Sequence, residues 1–121
     1  MIPKLIYVAG PYRASTAWGI ERNIHAAREM GARIAVYGCY PMIPHANTAH
    51  FDGLADDALW LGGTLEMMRR CDAAVFLSNF RESSGACNEY EEAERMKMLI
   101  YIENVHDDLG GFLYRNKLAA T

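Results

Sequence analysis

Short apolar runs alternate with amphipathic stretches along this chain. Residues 4–9 (KLIYVA) are apolar and close on Gly10-Pro11, which predicts a buried strand of a parallel sheet. Ser15 or Thr16 then caps a helix running to about Gly31, with Ile20, Ile24, Ala27 and Met30 or Gly31 on one face. Residues 33–40 (RIAVYGCY) read as a second strand. A long stretch over 41–57, PMIPHANTAHFDGLADD, is rich in proline and turn residues and reads as a functional or mobile loop. Residues 57–70 are expected to be helical despite Gly62-Gly63, and 73–78 (AAVFLS) form a third strand. Residues 79–85 turn the chain, 86–97 make a helix, 98–102 (MLIYI) a fourth strand, and the tail holds one more short helix.

Strands that alternate with helices imply right-handed crossovers and a parallel sheet covered on both faces. The expected fold is therefore α/β: a small doubly wound, flavodoxin- or Rossmann-like sheet of four or five strands. The length, 121 residues, suits one domain over 1–121. Ligands of such sheets bind beyond the C-terminal strand ends, which selects residues 10–15, 40–57 and 78–89.

Composition narrows the partners. Net charge is −3 and no basic run appears, so binding to duplex nucleic acid is disfavoured while single nucleotides are not. Cys39, Cys71 and Cys87 are odd in number and widely spaced, which argues against a disulfide framework and for a reducing cytoplasm. The N-terminal apolar run has strand length, not signal-peptide length, and no stretch reaches membrane-spanning length. GPYRAS lacks G-x-G-x-x-G, so no dinucleotide cofactor is expected.

Candidate chemistry concentrates in SSGACNEYEEAER, residues 83–95. At 100° per residue, Ala86, Glu89, Tyr90, Ala93, Met96 and Lys97 share one side of the helix. Glu91, Glu92, Glu94 and Arg95 lie opposite, where Glu91 and Arg95 are spaced to pair. Glu89 thus stands in a mostly apolar arc. A carboxylate there needs partners or a shifted pKa. Two uses fit: serving the helix N-terminus, or serving a site. Ser83, Ser84 and Gly85 open the helix and suit an anion, with Ser84 as the expected N-cap. In the first loop Gly10 permits close backbone approach, Arg13 suits a phosphate, and Tyr12 is a further candidate substrate contact. The long loop offers His45 and Asn47 for hydrogen bonds to a base or sugar, alongside His50, Asp52, Asp56 and Asp57. Their spacing matches no metal motif, so no metal is expected. Phe51 and Trp60 are either stacking faces or core.

Taken together, the YVAGPYR strand and loop, the CDAAVFL strand and the SSGACNE turn resemble the nucleoside 2-deoxyribosyltransferase superfamily, close to its short phage and bacterial branch. The resemblance spans residues 4–102, and it implies cleavage of N-glycosidic bonds in deoxynucleosides or their 5′-monophosphates. It implies a glutamate nucleophile at Glu89, oriented by a strand-one tyrosine at Tyr7, with the chemistry of a retaining glycosidase. Ser83 occupies the position that binds a 5′-phosphate in the nucleotide hydrolases of the superfamily, which favours a monophosphate. The superfamily carries an aspartate eight residues before the equivalent of Asp72; here that position is Thr64. The leaving base would then be assisted by another group, such as His45 or Asp57, or activity is altered. A non-catalytic nucleotide-binding protein is the alternative. The resemblance also implies a homo-oligomer.

Overall fold

A computed structural model describes residues 2–120. The first strand, β1 (Leu5–Ala9), leads into helix α1 (Ala17–Val36), then β2 (Tyr40–Met42) and a single turn, α2 (Pro44–Asn47). Helix α3 (Asp57–Arg69), β3 (Ala73–Phe76), a 3-10 turn over Phe80–Glu82 and α4 (Ser84–Arg95) follow. β4 (Leu99–Ile102) and α5 (Leu109–Arg115) complete the order. The four strands form one all-parallel sheet in the order β2-β1-β3-β4. This is the doubly wound α/β fold expected from the sequence.

Strand alternation divides the core into two layers. Ile6, Val8, Val75 and Leu77 pack with Ala27, Met30 and Ile34 of α1 and with Leu109 and Leu113 of α5. Tyr7, Ala9, Ala74 and Phe76 face the other way, against Met68 of α3 and Ala86 and Ala93 of α4. β1 and β3 are nearly or wholly inaccessible from Ile6 to Ala9 and from Ala73 to Phe76. Both sheet faces are covered, so these strands read as continuous apolar runs rather than alternating ones. Asp72 fixes the approach to β3 by accepting the Leu5 amide at 2.7 Å.

The structure corrects three expected boundaries. Residues 33–36 are not strand but the last turn of α1. Ile34 keeps the helical phase of Ala27 and Met30, and that packing overrides the β-branched character of the segment. The helix stops where Gly38 takes φ 80° and its amide reaches the Ala35 carbonyl, a left-handed exit suited to glycine. β2 therefore starts only at Tyr40 and extends into what read as loop. α4 also begins two residues early and ends at Arg95; Lys97 lies beyond it with φ 57°, outside the buried arc. The expected Glu91–Arg95 pair is replaced by Glu92, which Arg95 and Arg69 both contact at 2.7 Å. Among the described residues no helix is long and apolar enough to cross a membrane.

Neighbouring strands leave β1 and β3 in opposite directions, β2 on one side and β4 on the other. A crevice opens at such a switch point, beyond the C-terminal ends of these two strands.

Candidate functional site

A cleft of about 520 Å³ occupies that crevice. Its floor holds Tyr7 and Glu89. Tyr7 is wholly buried at the centre of β1, on the face covered by α3 and α4, and Glu89 is 7% exposed. The Tyr7 hydroxyl donates to Glu89 Oε2. Glu89 lies six residues past the N-cap of α4, beyond the turn in which the helix dipole acts. Its hydrogen-bond partner belongs to another element, which speaks against the helix-terminus use.

Burial pushes the Glu89 carboxyl up to about 7, against the opposing hydrogen bonds of Tyr7 and Thr64. Burial and the adjacent carboxylate hold the Tyr7 phenol well above its ordinary value, so Tyr7 remains a donor. Thr64 lines the cleft from α3, and its hydroxyl also reaches the Leu61 carbonyl at 3.2 Å. A neutral hydroxyl thus stands beside Glu89, and no second acid is supplied from this position.

The rim at α4 is built by backbone. Ser83, not Ser84, is the N-cap: its Oγ accepts the Ala86 amide at 3.1 Å. Ser83 has the extended backbone of a cap, φ −116° and ψ 122°, whereas Ser84 already lies inside the helix. The two serines therefore exchange the capping role expected for them. Ser84 and Gly85 stand in the first turn, where amides lack intrahelical acceptors. A Cβ on Gly85 would meet only ordinary contacts, the nearest being Leu61 at 3.4 Å. Gly10 differs: a Cβ there would lie 2.6 Å from Leu77 Cδ1, so packing against the strand-three exit already calls for glycine.

The opposite rim is the GPYR loop, held at each carbonyl. His45 Nε2 lies 3.0 Å from the Gly10 carbonyl and 2.9 Å from that of Pro11. Both partners are acceptors, so Nε2 carries the proton. Burial lowers the His45 pKa, so the ring stays neutral. His45 thus clamps the first loop through Nε2. Asn23 Nδ2 donates to the carbonyls of Tyr12 at 3.0 Å and Arg13 at 3.3 Å. The Tyr12 hydroxyl accepts the His50 amide at 2.8 Å and donates to Asp52 at 2.7 Å. Arg13 reaches across to Asp57 on α3 at 2.6 Å.

Tyr7, Gly10, Tyr12, Arg13, His45, Ser83, Ser84, Gly85 and Glu89 all line this one cleft. Asn47 does not; it ends α2 on the exposed side. Phe51 and Trp60, their rings 6.2 Å apart, also line it, so neither is simply core. Glu82, Thr48 and Leu61 were not singled out by sequence, since each is a single polar or apolar residue in a turn or helix with no periodic signal. Glu82 follows a strand end, the one feature that marked its segment. Among the described residues no three His, Cys, Asp or Glu side chains group as metal ligands.

The cleft thus brings together a floor carboxyl of raised pKa, a phenol donor, the N-terminus of α4 and a guanidinium. No curated protein matches the chain. A family model covers residues 4–103, and the chain belongs to that family, described as a domain of unknown function (DUF7768).

Proposed function

We propose that the protein cleaves, or transfers across, the N-glycosidic bond of a 2′-deoxynucleoside 5′-monophosphate, with Glu89 as nucleophile. The observation that carries this reading is the buried Glu89 carboxylate hydrogen-bonded by Tyr7 on the cleft floor. It agrees with the resemblance of YVAGPYR and SSGACNE to the nucleoside 2-deoxyribosyltransferase superfamily. In the proposed step a Glu89 oxygen attacks C1′ of the sugar. The C1′–N bond breaks, and its electron pair leaves with the base, which takes a proton from water at the cleft mouth. Water then attacks C1′ and gives up a proton, the ester bond breaks to restore the carboxylate, and a hydroxyl is left on C1′; in transfer a nitrogen of a second base attacks instead, loses its proton and forms a new C1′–N bond. Tyr7 and Thr64 hydrogen-bond the carboxylate and orient it for attack. Phe51 and Trp60 offer faces for the base. The amides of Ser84 and Gly85, together with Arg13, offer the 5′-phosphate its partners.

The test is release of free base from a panel of normal and modified deoxynucleoside monophosphates. Glu89→Gln abolishes release; unchanged release from that variant overturns the assignment. A crystal structure with bound nucleotide is expected to place a Glu89 oxygen at roughly 3–3.5 Å from C1′.

Thr64 favours a second reading, a nucleotide-binding protein without catalysis. Its hydroxyl stands where the superfamily carries an acid. Calorimetry showing nucleotide binding without turnover, and gain of turnover in Thr64→Asp, would select that reading. We further infer a homo-oligomer in a reducing cytoplasm, in keeping with three free cysteines, Cys39, Cys71 and Cys87.

A further inference from the structure

We propose that Asp57 is a specificity-determining latch: it occupies Arg13 in the empty cleft and must yield that guanidinium to the phosphate of the incoming nucleotide. The inference rests on the nucleotide reading above and adds a residue that it did not use. Arg13 Nη2 lies 2.6 Å from Asp57 Oδ1, linking the GPYR loop to the first residue of α3. Both residues line the cleft and are largely exposed, so the pair ties two of its walls at the solvent side.

Three features make the pair exchangeable. Both side chains are largely in water, 65% and 62% exposed, and an ion pair so exposed adds little net stability. The loop backbone is anchored independently, by Asn23 at the Tyr12 and Arg13 carbonyls and by His45 at Gly10 and Pro11. The guanidinium can therefore change partner without the loop moving. Finally, a phosphate offers the planar guanidinium the same two-oxygen geometry as a carboxylate, with greater charge.

The surrounding charge gives the latch its consequence. Asp52, Asp57, Glu82 and Glu89 line the cleft, and Arg13 is the one lysine or arginine among its described lining residues. With Arg13 occupied, the mouth presents carboxylates to any anion. A free nucleoside meets no such barrier. The Asp57–Arg13 pair thus sets how strongly the cleft prefers a monophosphate over the nucleoside.

The experiment is a double-mutant cycle on the full chain. Calorimetric affinities for a 2′-deoxynucleoside 5′-monophosphate and its nucleoside are measured in wild type, Asp57→Asn, Arg13→Ala and the double variant. The expected result is that Asp57→Asn raises the monophosphate-to-nucleoside affinity ratio about three- to fivefold. In the Arg13→Ala background the same substitution changes that ratio less than about twofold. A ratio unchanged or lowered by Asp57→Asn overturns the latch. An equal rise in both backgrounds also overturns it, because general repulsion would then account for the effect. Binding that ignores Asp57 leaves the nucleotide reading standing, whereas no nucleotide binding by any variant overturns both. Circular dichroism confirms that α3 survives the change at its first turn, and Asp57→Ser provides the same readout should the asparagine variant fail to fold.

Discussion

The Tyr7 hydroxyl on β1 donates to the carboxylate of Glu89 on α4, 82 residues further along the chain. The contact joins the centre of the sheet to the second turn of a helix and sets the proton chemistry of the cleft floor. Burial favours the neutral acid, and the hydroxyls of Tyr7 and Thr64 favour the carboxylate; burial wins, leaving the group at about 7.

The pH dependence of base release follows from that balance. The nucleophile is the carboxylate, so kcat/KM rises with pH through about 7 and levels off above it. A profile already flat from pH 5 to 8 would show that Glu89 is not the group titrating.

Tyr7→Phe removes a hydrogen bond that holds the Glu89 pKa down, so the ascending limb should move up by about one unit. At pH 7 the ionised fraction then drops from about one half to about one eleventh, so the rate falls roughly fivefold and recovers almost fully at pH 9. A loss that is the same at every pH would indicate a packing defect instead.

Glu89→Gln is expected to change stability in a pH-dependent way. The folded pKa is raised above the unfolded value, so wild type pays no ionisation penalty below about 4.5. The penalty grows as pH rises to about 7 and is complete above it, at about 3 kcal/mol. Glutamine carries no such penalty. Denaturant midpoints should therefore favour the variant more at pH 8 than at pH 4.5.

The two serines separate by experiment. Ser83→Ala removes the cap of α4 and costs about 1 kcal/mol of stability. Ser84→Ala, already within the helix and exposed, changes stability by less than about 0.5 kcal/mol. Thermal unfolding of both variants checks the assignment.

Much of this architecture was legible in the chain. The apolar runs at 4–9, 73–78 and 98–102 marked three of the four strands; for the two central ones, β1 and β3, the reason is that a strand buried on both faces must be apolar throughout. Helical phase placed Ala86, Glu89 and Ala93 inward for the same reason: a period of 3.6 residues carries burial directly. Local pattern failed where local and tertiary preferences compete. Ile34 and Val36 favour a strand locally, yet Ile34 is needed in the α1 face of the core. The choice between Ser83 and Ser84 depended on one residue of helix boundary, which periodicity does not resolve. The partners within the site are long-range and leave no trace in spacing. The resemblance implied that Tyr7 meets Glu89, but that His45 clamps the first loop and that Arg13 is occupied by Asp57 were decided only when the doubly wound sheet brought the ends of β1 and β3 to one crevice.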